Sequence, residues 1–330
     1  ITRDLVAGTS RTERFSYHHG HYDTVEREFR GFARVDRRDS ESAEHFVPDG
    51  AEAAADPLDQ APVLTRTWYH TGAGPDVRHL PAALQSEFFS DQAHPEPALP
   101  PLALPQTSDA QQAREAARSL KGKILREEVY AEDGRTRAGI PLTIATSRYR
   151  VSMVQPSGDH APAVFLPTVL ETLTSHVEQG IAAPRIAHTL TLEIDELGNP
   201  LRSANVVYPR AVPEPNIPAE AQAAQAVRLV TTQLTSYSND IDTANNYRLR
   251  LAVEERSFEL TGLQAPAGDI YRLEELDAAI GAASDIAHEA MPSGAPESRI
   301  TSALRTEFLA DDGIAPLPFG AISARALARR

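Results

Sequence analysis

Alternation between apolar and polar side chains is the feature that most restricts how this chain can fold. Every second residue is apolar in segments 189–194 (TLTLEI), 148–153 (RYRVSM) and 247–254 (YRLRLAVE). Segments 124–130 and 65–70 have the same character. A period of two places apolar side chains on one face of a β-strand, and strands with one polar face are typical of antiparallel sheets. The sequence therefore predicts a mainly β fold built from antiparallel hairpins.

Residues that favour tight turns lie between the predicted strands. One turn contains Asp133 and Gly134, and another contains Gly198 and Asn199. These residue types readily adopt the positive φ angles that hairpin turns require. The surrounding segments, YAEDGRTR and DELGNPLRS, resemble the Tyr-Asp repeat of Rhs proteins, in which hairpins are stacked edge to edge. A hairpin of this kind cannot bury its apolar face alone, so the pattern favours an extended sheet.

Helical patterns are fewer and shorter. A helix is predicted near 109–121, where small apolar residues recur at helical spacing and Gly122 follows as a C-terminal stop. Apolar residues at helical spacing over 273–280 and 300–308 predict that residues 263–330 form a more helical C-terminal part.

Three stretches are predicted to be connectors. Residues 47–62 are rich in Ala, Asp and Pro, and residues 91–107 and 209–218 are rich in proline. Proline lacks the N–H group that a central strand donates, so these stretches are expected to be loops that cross a surface.

Composition excludes several classes of function. The chain has 330 residues and no cysteine, which excludes disulfide scaffolds, cysteine-based zinc sites and thiol catalysis. Its net charge of −14 argues against nucleic acid and against anionic membranes as partners. No apolar run approaches the ~20 residues of a membrane-spanning helix. The chain does not begin with Met, and we expect it to be part of a longer protein.

The segment YHHGHYDTVEREFRGF, residues 17–32, contains the residue types of a metal site. His18, His19, His21 and Asp23 are candidate ligands. On a strand, however, His19 and His21 share one face while His18 points to the other, and no second group of ligands is evident. We therefore predict histidines that make hydrogen bonds in a strand and turn, with no metal and no cofactor.

The same segment offers a candidate carboxylate pair. Glu26 and Glu28 are the residue types that a carbohydrate-active or other hydrolase uses as general acid and base, which requires a desolvated cleft. Alternating Glu and Arg more often form cross-strand ion pairs. No GxSxG, Walker or GxGxxG motif occurs, and Trp68 is interpreted as a core residue. No catalytic residue is assigned; a hydrolase and a cell-surface binding module stay as alternatives.

Several segments together resemble the B component of bacterial insecticidal toxin complexes, the TcB or TcaC type that is related to SpvB and Rhs proteins. The matching segments occur in the same order over nearly the whole chain, and none of them is catalytic. They are 17–41, 61–73, 113–134, 188–210, 233–262 and 311–327.

The residues that carry this resemblance are aromatic, glycine and charged positions of hairpins and turns, and the resemblance implies structural roles for them. They are Tyr17, His19, Gly20, Tyr22, Asp23, Glu26, Arg27, Phe29, Arg30, Gly31, Phe32, Trp68, Gly72, Gly122, Asp133, Gly134, Asp195, Gly198 and Asn199.

The resemblance implies that residues 1–330 are a segment of the TcdB middle/C-terminal domain. Block 1–46 would hold strand hairpins, block 61–262 a strand-rich core, and block 263–330 the more helical part. In this family the B and C components build a hollow β-rich shell around the toxic C-terminal region of the C component. The propeller of the B component docks on the channel-forming A component. This segment would be non-enzymatic shell wall, assembled in the bacterial cytoplasm and secreted within the complex, without contact to nucleic acid or membrane.

Overall fold

The computed structural model describes most of the chain as strands joined by irregular connections. The described residues are 2–4, 9–42, 61–74, 83–91, 96–107, 109–134, 136–158, 161–177, 183–212 and 214–329. The predicted connector 47–62 lies almost entirely outside them. In the other two predicted connectors, the described residues (91, 96–107, 209–212 and 214–218) contain no strand. The chain divides into two compact units.

The first unit, Ile1–Ile186 with Arg210–Gln222, contains an antiparallel sheet whose strands pair in sequence order. Its predicted strands at 65–70, 124–130 and 148–153 are confirmed, with shifted ends. The elements are β1 (Thr2–Asp4), β2 (Thr9–Asp23), β3 (Glu28–Ser42), β4 (Val63–Tyr69), α1 (Ala110–Ser119), β5 (Ile124–Ala131), β6 (Thr143–Gln155) and β7 (Val164–His176).

Helix α1 covers part of this sheet. Asp109 begins it by accepting a hydrogen bond from the backbone N–H of Gln111 (2.8 Å), which satisfies one of the free donors at a helix N-terminus. Ala116 and Leu120 are buried against Tyr149 and Val151 of β6, and two leucines of the proline-rich connector, Leu102 and Leu104, pack on the same cluster. The helix predicted near 109–121 is thereby confirmed.

A second cluster lies around Trp68 on β4, which is fully buried, as predicted for a core residue. It packs with Ala33 and Leu84, and its ring meets the ring of Phe88 edge-on at 5.0 Å. Residues 83–91 are therefore held against the sheet by apolar contacts.

Buried charges hold the proline-rich connector to the same sheet. Glu128 is fully buried and accepts hydrogen bonds from Arg126 Nε (2.7 Å) and from the backbone N–H of Phe89 (2.9 Å). Arg126 also pairs with Glu96 at 2.8 Å. Removing one member of such a network leaves an uncompensated buried charge, which is strongly destabilising. Residues 96–104 of the connector are thus fixed to the sheet by specific contacts.

The second unit comprises Ala187–Pro209 with Ala223–Arg330. Its main sheet has the order β8-β9-β10-β13-β15-β14, antiparallel except for β14 against β15. The elements from β8 onward are β8 (Arg185–Ile194), β9 (Pro200–Val207), α2 (Ala219–Gln225), β10 (Leu229–Tyr237), β11 (Ile241–Thr243), β12 (Asn246–Arg248), β13 (Ala252–Thr261), α3 (Leu273–Gly281), β14 (Ser284–Ile286), β15 (Glu297–Arg305), β16 (Glu307–Leu309) and β17 (Leu327–Arg329).

Two local predictions are wrong in this unit. Residues 300–308 were predicted to be helical, but they lie mainly in β15, which pairs with β13 from Thr261↔Glu297 to Glu254↔Arg305. Ladder pairing and the β-branched residues at 300–301 outweigh the helical spacing. Segment 247–254 was predicted as one strand, but it divides into β12 and β13 with a break at 249–251. The helix predicted over 273–280 is confirmed by α3.

Gly262 follows β13 with a φ of 67°, a region that favours glycine. A Cβ atom at this position would lie 1.9 Å from the carbonyl oxygen of Ala295. The backbone after β13 therefore passes so close to the chain before β15 that only glycine fits.

Candidate functional site

The hairpin of β2 and β3 carries most of the signature residues, and Asp23 organises its turn. The Asp23 Oδ1 atom accepts hydrogen bonds from the backbone N–H groups of Val25 and Glu26, both at 3.0 Å. Its Oδ2 accepts a bond from Arg30 Nη2 at 2.8 Å. The hydrogen bond from the Glu26 backbone and the charge of Arg30 hold the pKa of Asp23 below its ordinary value, although desolvation opposes this. Asp23 is therefore an ionised turn anchor.

The turn requires two unusual backbone conformations. Arg27 has a φ of 54° and Gly31 a φ of 96°. Positive φ is comfortable for glycine but costs a residue with a Cβ atom about 1 kcal/mol. Arg30 lies between them with a side chain only 2% exposed. The turn thus buries a guanidinium group, which Asp23 and Glu28 neutralise.

The two carboxylates of the hydrolase alternative are held by cations from the end of α1. Arg118 Nη1 lies 3.0 Å from Glu26 Oε2, and Lys121 Nζ lies 2.8 Å from Glu28 Oε1. The hydrogen bond from Lys121 and the nearby positive charges lower the pKa of Glu28. A general acid needs a raised pKa instead. This arrangement holds the helix end against the turn and provides no poised proton donor.

Exposed aromatic rings occupy one face of the hairpin. Ring centroids lie 4.9 Å apart between Tyr17 and Phe32, and 5.2 Å apart between Phe29 and Phe32. Tyr22 is directly opposite Phe29 in the strand register. A Cβ atom on Gly20 would lie 3.3 Å from both phenylalanine rings. Because glycine has no side chain, the two rings have room to pack over this position. We call this surface the aromatic face; it also includes Phe15, two residues before Tyr17 on the regular part of β2.

Glu87, which the sequence did not indicate, is the centre of a network beside the hairpin. Its carboxylate lies 2.6 Å from His19 Nε2, and it accepts hydrogen bonds from Arg34 (2.9 Å) and Trp68 (3.2 Å). Burial alone would raise the pKa of Glu87, but these three hydrogen bonds outweigh it and lower the pKa. His19 has a φ of 56°, so the network includes a strained backbone position. Glu87 lies in a segment without periodicity, and no sequence signal marks it.

The histidines of the segment are separated, as the strand interpretation predicted. His18 Nε2 approaches Asp36 at 3.8 Å, whereas His19 contacts Glu87. Among the residues that the structure describes, no group of three His, Asp or Glu side chains is arranged to hold a metal ion. In the same residues, no helix has the length and apolar character needed to cross a membrane.

Gly72 and Gly122 lie where β4 meets α1. Gly72 has a φ of 69°, and a Cβ atom there would come within 3.1 Å of the Arg118 backbone. Gly122 has a φ of 78° and donates its N–H to the carbonyl of His70 at 2.9 Å. Gly72 therefore permits a close approach of backbones, whereas Gly122 has open space around it and supplies the positive φ of this junction.

The two turns that resemble Tyr-Asp repeats differ. Asp195 accepts hydrogen bonds from the backbone N–H groups of Leu197 (2.9 Å) and Asn199 (2.8 Å), and Gly198 has a φ of 85°. This is a tight turn between β8 and β9. By contrast, Asp133 and Gly134 lie in the long connection between β5 and β6, so they do not form a two-residue hairpin.

The described chain thus belongs to a class of mainly β modules, built from antiparallel sheets and the turns described above. Two family profiles match it. The profile described as insecticide toxin TcdB middle/C-terminal region matches residues 115–258, and the one described as middle/N-terminal region matches residues 1–71. The chain belongs to the TcdB family, as a middle region of the B component of a Tc toxin. The division into three blocks stays a prediction.

Solved structures show the same fold. The chain is similar to the crystal structure of TcdB2-TccC3 at a TM-score of 0.70 and 24% identity, covering 98% of this chain and 15% of that one. For TcdB2-TccC3 without its hypervariable C-terminal region, the TM-score is 0.69 and the identity 24%, covering 97% of this chain and 15% of that one. For a Tc holotoxin pore of Photorhabdus luminescens, the TM-score is 0.68 and the identity 24%, covering 98% of this chain and 15% of that one. The chain therefore spans about one seventh of the chains it matches. No curated protein sequence matches it.

Proposed function

We propose that this chain is a structural segment of the B component's shell, which encloses the toxic C-terminal region of the C component for delivery through the A-component channel. The observation that carries the proposal is the match of nearly the whole chain to 15% of a chain in the TcdB2-TccC3 structure, together with the two TcdB family profiles. The antiparallel sheets of both units fit a wall, since a sheet of this kind can be extended by pairing further strands at an edge.

The proposal extends to partners and location. The segment forms part of the shell wall, and contact with the A component is made by the propeller of the B component. Its net charge of −14 supports the absence of contact with nucleic acid or anionic membrane. Assembly takes place in the bacterial cytoplasm, and the segment is secreted within the complex. The signature residues act by holding hairpins and turns.

Protease protection tests the enclosure. The full-length protein that carries this chain is assembled with its C component, and the toxic region of the C component should resist protease. Arg126→Ala, which leaves the fully buried Glu128 without its arginine, should open the wall and expose that region. Arg150→Ala is the control, because Arg150 has no carboxylate partner among the described residues. A toxic region that is digested equally with and without the assembled shell contradicts the proposal.

A separate experiment tests the non-enzymatic role. Glu26→Gln and Glu28→Gln together should leave the activity of the assembled toxin unchanged, because amides keep the shape of both side chains. A catalytic pair would lose several orders of magnitude in rate. Such a loss, with the shell still assembled, would instead support the hydrolase alternative.

A further inference from the structure

Aspartate followed directly by glycine is a chemically reactive step in a protein chain, and the described residues contain two such steps. They are Asp133-Gly134 and Asp312-Gly313, while Asp49-Gly50 lies outside the described residues. In such a step the glycine nitrogen can attack the aspartate side chain, because glycine has no Cβ atom to obstruct the approach. The fold decides whether the attack occurs, since both groups must be free to come into line.

At Asp312-Gly313 the fold restrains both reacting groups. Asp312 Oδ1 accepts hydrogen bonds from the backbone N–H groups of Ile314 (2.8 Å) and Ala315 (3.2 Å). These bonds hold the pKa of Asp312 below its ordinary value, although desolvation opposes them. Gly313 donates its N–H to the carbonyl of Ala310 at 2.8 Å. The nitrogen and the carboxyl group that would react are therefore each bound to other partners.

Gly134 is less restrained than Gly313. It lies in the connection between β5 and β6 with a φ of 68°, and a Cβ atom built on it would meet nothing within 4 Å. Within the part of the chain that the structure describes, its N–H donates no backbone hydrogen bond. Both glycines are exposed. Hydrogen bonding, and not the access of water, therefore distinguishes the two steps.

We infer that Asp133 is a modification site, at which aspartate converts spontaneously into isoaspartate. The Gly134 nitrogen bonds to the Asp133 Cγ atom, and its proton leaves with the carboxyl hydroxyl group as water, which closes a succinimide ring. A water molecule then opens the ring. Its attack at Cγ restores aspartate, whereas its attack at the main-chain carbonyl carbon leaves Gly134 joined through Cγ. The product is an isomer of the original chain, so the reaction requires no oxidant and no cofactor.

The modification alters the connection between β5 and β6. It adds the Asp133 Cβ atom to the path of the main chain and leaves the free carboxyl group directly on Cα. The neighbouring Glu132 donates its N–H to the carbonyl of Pro62 (2.8 Å), and its carboxylate holds Arg38 at 2.5 and 2.6 Å. The altered backbone thus lies beside the contacts that fix this connection to β3 and to the start of β4. The new carboxyl group is the one that isoaspartyl methyltransferases esterify, so an enzyme of this class would recognise the site.

A time course on the full-length protein that carries this chain tests the inference. The protein is kept in warm neutral buffer, either native or unfolded in urea, and is then digested with trypsin. The two steps are released in separate peptides, 127–135 and 306–325. Electron-transfer fragmentation distinguishes isoaspartate from aspartate in each peptide, and an isoaspartyl methyltransferase provides an independent measure.

In the native protein, isoaspartate should form at Asp133 about 100-fold faster than at Asp312, a factor that misalignment of two reacting groups commonly costs. In urea the two rates should become similar, because the hydrogen bonds that restrain Asp312 and Gly313 are lost.

Two substitutions at position 133 are matched controls. Asp133→Glu should abolish isomerisation there, because the longer side chain closes a larger ring less readily. Asp133→Asn should speed the formation of isoaspartate, since the amide closes the same succinimide ring with release of ammonia. Both variants keep a polar side chain in this connection, and thermal unfolding checks that the fold is retained.

Two results would overturn the inference. One is equal formation of isoaspartate at Asp133 and Asp312 in the native protein, which would show that hydrogen bonding does not decide between them. The other is the absence of isoaspartate at Asp133 in the native protein, whatever happens in urea. Neither result bears on the enclosing role of the shell, which protease protection tests separately.

Discussion

The turns at Asp23 and Asp195 use the same aspartate chemistry but obtain their arginine from different distances along the chain. In both, one carboxylate accepts two backbone hydrogen bonds and pairs with a guanidinium. Asp23 uses Arg30, seven residues away and almost fully buried. Asp195 uses Arg250, 55 residues away and 20% exposed. The first turn is complete within its own hairpin, whereas the second also requires the segment between β12 and β13.

The largest expected effect comes from Asp23→Ala. Arg30 would keep only Glu28, at 3.3 Å, and two backbone N–H groups would lose their acceptor. We expect the free energy of unfolding to fall by about 3 kcal/mol in urea titrations. Asp23→Asn, which keeps the oxygen that accepts the backbone bonds, should cost less. A loss under about 1 kcal/mol would show that the buried guanidinium does not depend on Asp23.

A smaller loss is expected for Asp195→Ala, about 2 kcal/mol by the same measurement. Arg250 would still pair with Asp240 and Glu196, both at 2.6 Å, so no charge is left without a partner. The cost is mainly the lost acceptor for Leu197 and Asn199. If Asp195→Ala is less stable than Asp23→Ala, the inferred difference between the two turns is wrong.

Lowering the pH should destabilise both turns. The resulting loss of unfolding free energy should not exceed the loss caused by the alanine substitutions. The pKa of each aspartate lies below the ordinary value of 3.8; for Asp195, burial would raise it, but hydrogen bonds from Asn199 and Leu197 and the charge of Arg250 outweigh burial. The ionised carboxylates therefore stabilise the fold above pH 3.8, and this contribution is lost as pH falls from 3.8 through the lowered pKa. Asp23→Asn and Asp195→Asn should each flatten the dependence of unfolding free energy on pH in that range; unchanged slopes would contradict the shifts.

The smallest effects concern backbone conformation. Gly198→Ala should cost about 1 kcal/mol, because alanine is strained at a φ of 85°. Arg27→Gly should change stability by less than about 0.5 kcal/mol, since relief of strain at a φ of 54° is offset by greater freedom in the unfolded chain. Thermal unfolding of both variants checks this, and a clear gain for Arg27→Gly would show that strain dominates.

The comparison also explains what the sequence could predict. Alternation identified β4, β5, β6 and β8, and turn residues identified the Asp195 turn, because these signals are local. The prediction of one strand over 247–254 was wrong because two backbone N–H groups bond to side chains. The Arg250 N–H bonds to Asp240 at 2.6 Å and the Leu251 N–H to Ser238 at 3.0 Å, so neither takes part in the strand ladder. Those acceptors are distant in sequence, and alternation does not reveal them.

The candidate site was predictable to a similar extent. Glu26 and Glu28 were predicted to form cross-strand ion pairs with arginine, but they pair instead with Arg118 and Lys121, about 90 residues away at the end of α1. Glu87 was missed for the same reason, since only the folded chain brings it to His19. The signature hairpin could be recognised from its sequence, whereas the groups that neutralise it could not.

The close approach at Gly262 also limits what protein engineering can do with this chain. Even the methyl group of alanine would overlap the Ala295 carbonyl, and no rotamer change can relieve a clash between Cβ and backbone. In a library of random substitutions screened for folded protein, codon 262 should therefore return glycine alone.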